Sequence, residues 1–345
     1  MSTAAYYRRV SAARALRETV QAAAHVAQLD SLLAALRNQH GAVILTYHSV
    51  ARAESADYID HTMRMTSAHF ERQVALLARQ RRVISLSEIV ETLVGGKTPP
   101  RGSVAITFDD GYLDTLEVAA PVLGSLGLPA VVFLPTAYID TGETHWLDAL
   151  WNIFRTACRR VIMIDDQPVD CRRGAAVARA YAAYKAQLLS ATPTERRAIL
   201  CRLAAELRAD PTTPRLTMTW KDVRQLASRY PRMAVGGHSR GHTDLAALPR
   251  ALCVQEVTAC RDDIKAATGK EPAFLSYPYN RTSAIAREAV AGAGFVAALS
   301  SADEFVVAQG CDLMNLPRID ASVSAALLGY LTSGAARRLS WRRGM

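Results

Sequence analysis

The sequence predicts an α/β protein whose parallel strands close into a barrel, and three observations carry that expectation. Short apolar runs rich in β-branched residues alternate with helical patterns of about 10–18 residues, an order that gives parallel pairing through right-handed crossovers. About seven or eight such units follow one another, enough to close a sheet on itself. The polar residues able to carry chemistry fall at strand ends, where barrel active sites are built. A length of 345 residues fits one large barrel as well as two average domains, so the pattern decides rather than the length.

The elements follow in order. Residues 8–38 have apolar positions from Val10 to Leu36 mostly three to five apart with no internal Gly or Pro, which predicts one long N-terminal helix. After Gly41 the run Ala42–Tyr47 is too short for a buried helix and reads as a central strand ending at His48. Helices are expected near Ser67–Arg79 and Ser87–Leu93, then a strand at Ser103–Phe108 ending in Asp109, Asp110 and Gly111. A helix over Leu113–Leu126, closed by Gly127 and Pro129, leads to a strand at Ala130–Leu134. Later come a strand at Met233–Gly236, a helix at Arg250–Thr268, a strand at Ala273–Tyr277, a helix at Ser283–Ala291, and strands at Phe295–Leu299 and Leu313–Ile319. Residues 140–218 interrupt this rhythm with helical patterns at Trp146–Arg159, Ala175–Leu189 and Thr194–Leu207, and read as an inserted helical subdomain. The expected organisation is a basic helix over 1–40, a barrel over 41–320 and a basic tail over 321–345.

Composition sets the class. Hydrophobic residues make up 50% and charged residues 21%, which excludes a mostly disordered or collagen-like chain. No stretch approaches the roughly 18 consecutive apolar residues of a membrane span, and the start of the chain lacks the apolar core of a secretory signal. The net charge of +9 sits mostly at the ends: residues 1–40 carry +3 and residues 321–345 carry +4, leaving +2 for the body. That distribution points to end segments beside an anionic surface, such as a membrane or a membrane-associated assembly complex, or simply to solvated ends, rather than to a nucleic-acid groove. Six scattered cysteines form neither a zinc motif nor a disulfide framework, and they suit a reducing compartment such as the cytoplasm.

Three strand ends hold the candidate chemistry. Asp109 and Asp110 are adjacent acids before a turn-forming Gly111; one could bind a metal while the other handles a proton, or the pair could cap a helix. His238 and His242 stand four apart, which places both imidazoles on one face if the turn between them is helical. With Asp110 they would make a His–His–carboxylate site with open positions for water and substrate. His48 is either a core histidine or the proton donor such a site needs for a leaving amine. Tyr138, Trp146, Trp151 and Trp220 surround the insertion, where aromatic faces could stack on a ligand or pack a core.

Thr107–Gly111, His238–His242 and Ser276–Asn280, in that order and context, resemble the successive motifs of the polysaccharide deacetylase family, the NodB-homology or carbohydrate esterase family 4 enzymes. The resemblance implies a distorted (β/α)7 barrel, a divalent metal, most often zinc with cobalt, nickel or manganese as alternatives, and removal of N-acetyl or O-acetyl groups from a carbohydrate. Under it, Asp109 would be the general base and Asp110, His238 and His242 the metal ligands. Water on the metal would attack the acetamide carbonyl, with Tyr279 supplying an oxyanion N–H and Tyr277 and Pro278 completing the motif on the substrate side. The family's usual C-terminal acid motif is absent, whereas Tyr47–His48 matches the acid-bearing motif of a subset resembling poly-N-acetylglucosamine deacetylases. Ser276 stands where many relatives carry an Arg that orients the base, and Arg318, in a Leu-Pro-Arg-Ile segment like that of the subset, is the candidate replacement or else a surface residue. Asn280 replaces the motif's final Gly. A hydrolase of a non-sugar C–N amide on the same barrel, and a non-catalytic glycan-binding barrel, are the competing expectations; a His–His–Asp iron oxygenase would need a different fold.

Overall fold

The computed structural model describes residues 41–333 apart from 53–55, 160, 165–166, 171–174 and 301–306, together with residues 19 and 23. Apart from residues 19 and 23, the helix expected over 8–38 lies outside the described residues, as do the basic residues of the tail from Arg337 onward.

Six strands, β1 (Ala42–Tyr47), β2 (Ser103–Phe108), β3 (Ala130–Leu134), β4 (Met233–Gly237), β5 (Phe274–Ser276) and β6 (Ala297–Ser300), lie side by side in sequence order and all run parallel. The circle closes through one short stretch of chain. Leu316–Pro317 (β7) pairs with β6, and Ile319–Asp320 (β8) pairs with β1, so a seventh stave, broken at Arg318, bridges both edges. The expected single strand over 313–319 is therefore corrected: Leu313–Asn315 is a 3₁₀ turn, and Pro317, which cannot donate to a ladder, precedes a break.

Every residue of β1, β2 and β3 is buried, as a sheet covered on both faces requires. Alternate residues separate into two cores. Ala42, Ile44, Ala105, Val131 and Phe133 form one with Phe274 and Leu299, while Val43, Leu45, Val104, Ile106 and Val132 pack against the outer helices. Gly236 is required here, because a Cβ at that position would meet the Phe133 ring at 2.5 Å and the Phe274 carbonyl oxygen at 2.8 Å.

Helices α1 (Ser67–Gln80) and α2 (Leu86–Val94) follow β1, and α3 (Ala120–Ser125), reached through a π turn at Thr115–Ala119, follows β2. Ser85 and Glu88 form a capping box that starts α2. The α4 helix (Thr136–Thr141) leads into the insertion: α5 (Trp146–Thr156), a hairpin pairing Val161–Ile164 with Gln167–Asp170, α6 (Ala175–Ser190) and α7 (Pro193–Leu207). The apolar run Val161–Ile164 reads as a strand in the sequence, as found, whereas its partner Gln167–Asp170 carries no such run. The barrel resumes with α8 (Trp220–Arg229), α9 (Arg250–Thr268), α10 (Ala284–Gly292) and α11 (Ala325–Thr332). Among the described residues, no helix is long and apolar enough to cross a membrane.

The insertion has its own core, built from Leu150, Ile153, Phe154, Leu188 and Leu203. It is fastened to the barrel by buried polar groups. Asp148 on α5 accepts the Asp60 backbone N–H at 2.8 Å and the Tyr112 hydroxyl at 2.8 Å, while Tyr181 on α6 hydrogen-bonds Asp60. Asn152 donates to the Tyr58 carbonyl at 2.6 Å and Trp151 to the Asp57 carbonyl at 2.8 Å, so two of the aromatic and polar positions of α5 are structural clamps.

Burial pushes the Asp148 carboxyl up to about 7, although its two hydrogen bonds pull the other way. The native state thus holds this proton more tightly than the unfolded chain, and the associated stability is present at low pH and lost as pH rises from about 4 through 7. Asp148→Asn, which keeps the shape without the charge, should flatten that loss: the melting temperature of the variant relative to wild type rises between pH 5 and pH 8. Gly236→Ala should lower stability by about 1–3 kcal/mol through overpacking against Phe133, read by chemical denaturation.

Candidate metal and catalytic site

The site lies at the C-terminal mouth of the barrel. The Asp109 N–H still donates to the Tyr47 carbonyl at 2.9 Å, prolonging the pairing of β2 with β1 and fixing this carboxylate beside His48. The chain then turns sharply: Asp110 and Gly111 both take left-handed backbone angles, with φ of 68° and 62°. The two acids therefore face different partners, and neither caps the turn at Thr115–Ala119, which Asp114 precedes.

His238 and His242 converge by a route that differs from the expected one. The segment after β4 is not helical; Ser239 and His242 adopt φ of 56° and 49°, and this irregular turn brings both rings to Asp110. His238 Nε2 lies 3.4 Å and His242 Nε2 3.2 Å from the same oxygen, Asp110 Oδ1. His238 donates its Nδ1–H to the Ser276 carbonyl at 2.7 Å, which fixes the tautomer and leaves the Nε2 lone pair for a ligand. Asp110 Oδ1 is buried without a conventional hydrogen-bond partner. One carboxylate oxygen and two imidazole nitrogens around such an atom match the donor set of a divalent transition ion.

Burial works to raise the Asp110 carboxyl, but the neighbouring His242, His145 and His238 overcome it and hold it well below the usual range. Burial also pushes His242 down to about 4, while at His238 the charges of Asp109 and Asp110 outweigh burial and raise it. Positive charge is favoured at this carboxylate.

Asp109 is governed by a different cation. Arg318 grips it with two bonds, Nη1 to Oδ1 at 2.8 Å and Nη2 to Oδ2 at 2.7 Å, with both residues about 96% buried. The guanidinium is held in turn by the two positions at which the chain departs from the family motif: Nη2 donates to Ser276 Oγ at 2.8 Å and to Asn280 Oδ1 at 2.9 Å. Nη1 also reaches Thr107 Oγ1 at 3.3 Å, and Ser276 Oγ donates to Asp109 Oδ2 at 3.2 Å. Arg318 is thus a buried member of the site and not a surface residue. Burial alone would raise the Asp109 carboxyl, yet Arg318, with His238 and His48 nearby, holds it at about 2.

The structure brings His48 to this cluster, half-buried at the end of β1 and close enough for its charge to act on Asp109. Tyr279 and Asn280 both have positive φ, of 58° and 54°, so the third motif forms a strained turn over His242, whose ring lies 4.9 Å from that of Tyr279. Tyr277 is a correction. Its ring is fully buried with Leu275 and Val290, and its hydroxyl donates to the Met314 carbonyl at 2.9 Å, so it supports the turn and does not face substrate. Pro278 is buried and opens the 3₁₀ turn that carries Tyr279.

Two residues that sequence patterns did not single out stand at the site, both from the insertion. His145, immediately before α5, has its ring stacked on Tyr138 at 4.4 Å and its Nε2 3.1 Å from the Asp110 carbonyl oxygen. Arg196 on α7 donates to the Tyr279 hydroxyl at 2.8 Å, as does Trp146 Nε1 at 3.0 Å, and that hydroxyl donates to the His242 carbonyl at 3.2 Å. Trp146 is therefore committed to packing and to Tyr279. A lone histidine and a lone arginine in a helical segment carry no sequence signal of a site.

Comparison with known proteins agrees with this geometry. The sequence model of the polysaccharide deacetylase family matches residues 96–298. A poly-beta-1,6-N-acetyl-D-glucosamine N-deacetylase of Escherichia coli is 34% identical over 113 residues, covering 32% of this chain and 16% of that protein. The putative polysaccharide deacetylase YxkH of Bacillus subtilis is 33% identical over 92 residues, 26% of this chain and 30% of that one. The chain thus aligns with well under a third of the first and less than a third of the second. Among solved structures, IcaB from Ammonifex degensii superposes with a TM-score of 0.56 at 16% identity, over 86% of this chain and 98% of that one, and the Streptococcus pyogenes deacetylase PplD with 0.52 at 14%, over 84% and 96%. These likenesses show a shared fold. With a family match over more than half of its length and the three motifs meeting at one barrel mouth, this chain belongs to the polysaccharide deacetylase family.

Proposed function

We propose that the protein is a divalent-metal-dependent N-deacetylase acting on an N-acetylated glycan, with polymers or precursors of β-linked N-acetylglucosamine as the substrate class. One observation carries this: adjacent acids at one strand end have opposite electrostatic partners, Asp109 locked as an anion by Arg318 and Asp110 flanked by His238 and His242. A binding module has no use for the first of these beside the second. The substrate class draws on the named activity of the Escherichia coli relative.

Asp110, His238 and His242 would hold the ion, for which zinc, cobalt, nickel and manganese all suit a mixed nitrogen and oxygen donor set. When bound, such an ion polarises the acetamide carbonyl and acidifies the attacking water, which lets a carboxylate as weakly basic as Asp109 take the proton. Arg318 keeps the Asp109 carboxylate oriented and ionised until it accepts the proton. The backbone N–H of Tyr279 would donate to the developing oxyanion, the role that the family resemblance gives it. As the C–N bond breaks, His48 donates a proton to the departing amine, and acetate and the free amino sugar leave.

Acetate release from N-acetylglucosamine oligomers by protein stripped of metal and reloaded tests the assignment. Activity should return with zinc or cobalt and fall at least about a thousandfold in Asp109→Asn, whose neutral amide cannot accept the proton; unchanged release in that variant would refute the base. His48→Gln should lower kcat by about 10²–10⁴-fold with KM nearly constant, as removal of a general acid does. Arg318→Gln should lose both activity and about 3–5 kcal/mol of stability, because it leaves the Asp109 charge buried and unpaired.

A further inference from the structure

The imidazole of His145 completes a pattern that His238 begins. A backbone carbonyl can only accept, so the 3.1 Å contact with Asp110 O makes Nε2 the protonated nitrogen of His145. The basic lone pair is then on Nδ1, which is buried and without a partner. His238 is arranged the same way with its nitrogens exchanged: one N–H tied to a backbone carbonyl, the other nitrogen directed at Asp110. Metal-binding histidines are anchored in this manner, one N–H on a carbonyl or carboxylate and the opposite nitrogen on the ion.

The ring also lies beside two of the other ligands. One ligand atom from each of Asp110, His145 and His242 lies within 4.8 Å of the other two. The His145 ring is 4% exposed, stacked on Tyr138 with an interplanar angle of 17°, and edge-on to His242 at 5.5 Å, so its orientation is set in advance. Its backbone opens α5, whose docking on the barrel through Asp148 and Asn152 fixes where the ring can go.

We infer that His145, supplied by the insertion, is a fourth protein ligand of the ion held by Asp110, His238 and His242, binding through Nδ1. The inference rests on the metal-site reading above and deepens it: the insertion becomes part of the metal centre. A site with four protein ligands admits a water only by expanding its coordination number, so the ion in this chain would exceed the four-coordinate state of structural zinc sites.

The test uses the full chain, stripped with a chelator and reloaded with one equivalent of cobalt(II). X-ray absorption should count three imidazoles per cobalt in the wild type and two in His145→Gln, and competition with a chromophoric chelator should show cobalt affinity at least about tenfold weaker in the variant. Two imidazoles in the wild type, or unchanged affinity and count in His145→Gln, would overturn the inference; the wild-type count decides even if the variant fails to fold. The two readings fail separately: acetate release by a two-imidazole enzyme leaves the deacetylase standing and removes His145 from the metal, whereas a chain that takes up no cobalt and releases no acetate removes both.

Discussion

The buried pairing of Asp109 with Arg318 is the constraint around which the rest is arranged. Two opposite charges out of water are tolerated only when geometry is close and the remaining hydrogen-bonding capacity is met. The chain meets most of it with Thr107, on the same strand as Asp109, and with Ser276 and Asn280 at the end of β5, which leaves Arg318 Nε as the one guanidinium nitrogen without a partner. Arg318 also marks the break between β7 and β8, the stave that closes the barrel. Closure of the fold and ionisation of the base are therefore tied to one side chain. Three apparent departures from the family motif, Ser276, Asn280 and a guanidinium from a different strand, become one compensated set: moving the Arg to position 318 leaves room at 276 and 280 for small acceptors that hold it.

The second organising feature is the use of left-handed backbone. Asp110, Ser239, His242, Tyr279 and Asn280 all have positive φ without being glycine. Such residues are costly, and they persist where surrounding contacts over-determine them. Here each lies in a turn directly after a barrel strand, and together they aim His238, His242 and the third-motif turn at Asp110. The insertion supplies part of that determination, since Arg196 and Trp146 pin the Tyr279 hydroxyl, which in turn holds the His242 carbonyl. A helical subdomain that packs its own core thus braces the mouth of the barrel.

Much of this was legible in the sequence, and for a physical reason. Strands buried on both faces must be continuous apolar runs, so β1 to β3 announce themselves, and the helix at Arg250–Thr268 is bounded by Pro249 and Gly269 as punctuation. The spacing of His238 and His242 pointed to a shared ligand although the supposed helical turn between them is an irregular one. The 313–319 segment misled because two short strands and a 3₁₀ turn present the same apolar content as one strand.

The sequence by itself determined the fold class, the order of the strand-end motifs and the identities of the acids and histidines that meet there, because periodicity and local motif are properties of neighbours along the chain. Only the tertiary structure decided that Arg318 grips Asp109 from 209 residues away, that Tyr277 turns into the core, and that His145 and Arg196 reach the site. Those are contacts between residues distant in sequence, and they are set by how the barrel closes and where the insertion docks.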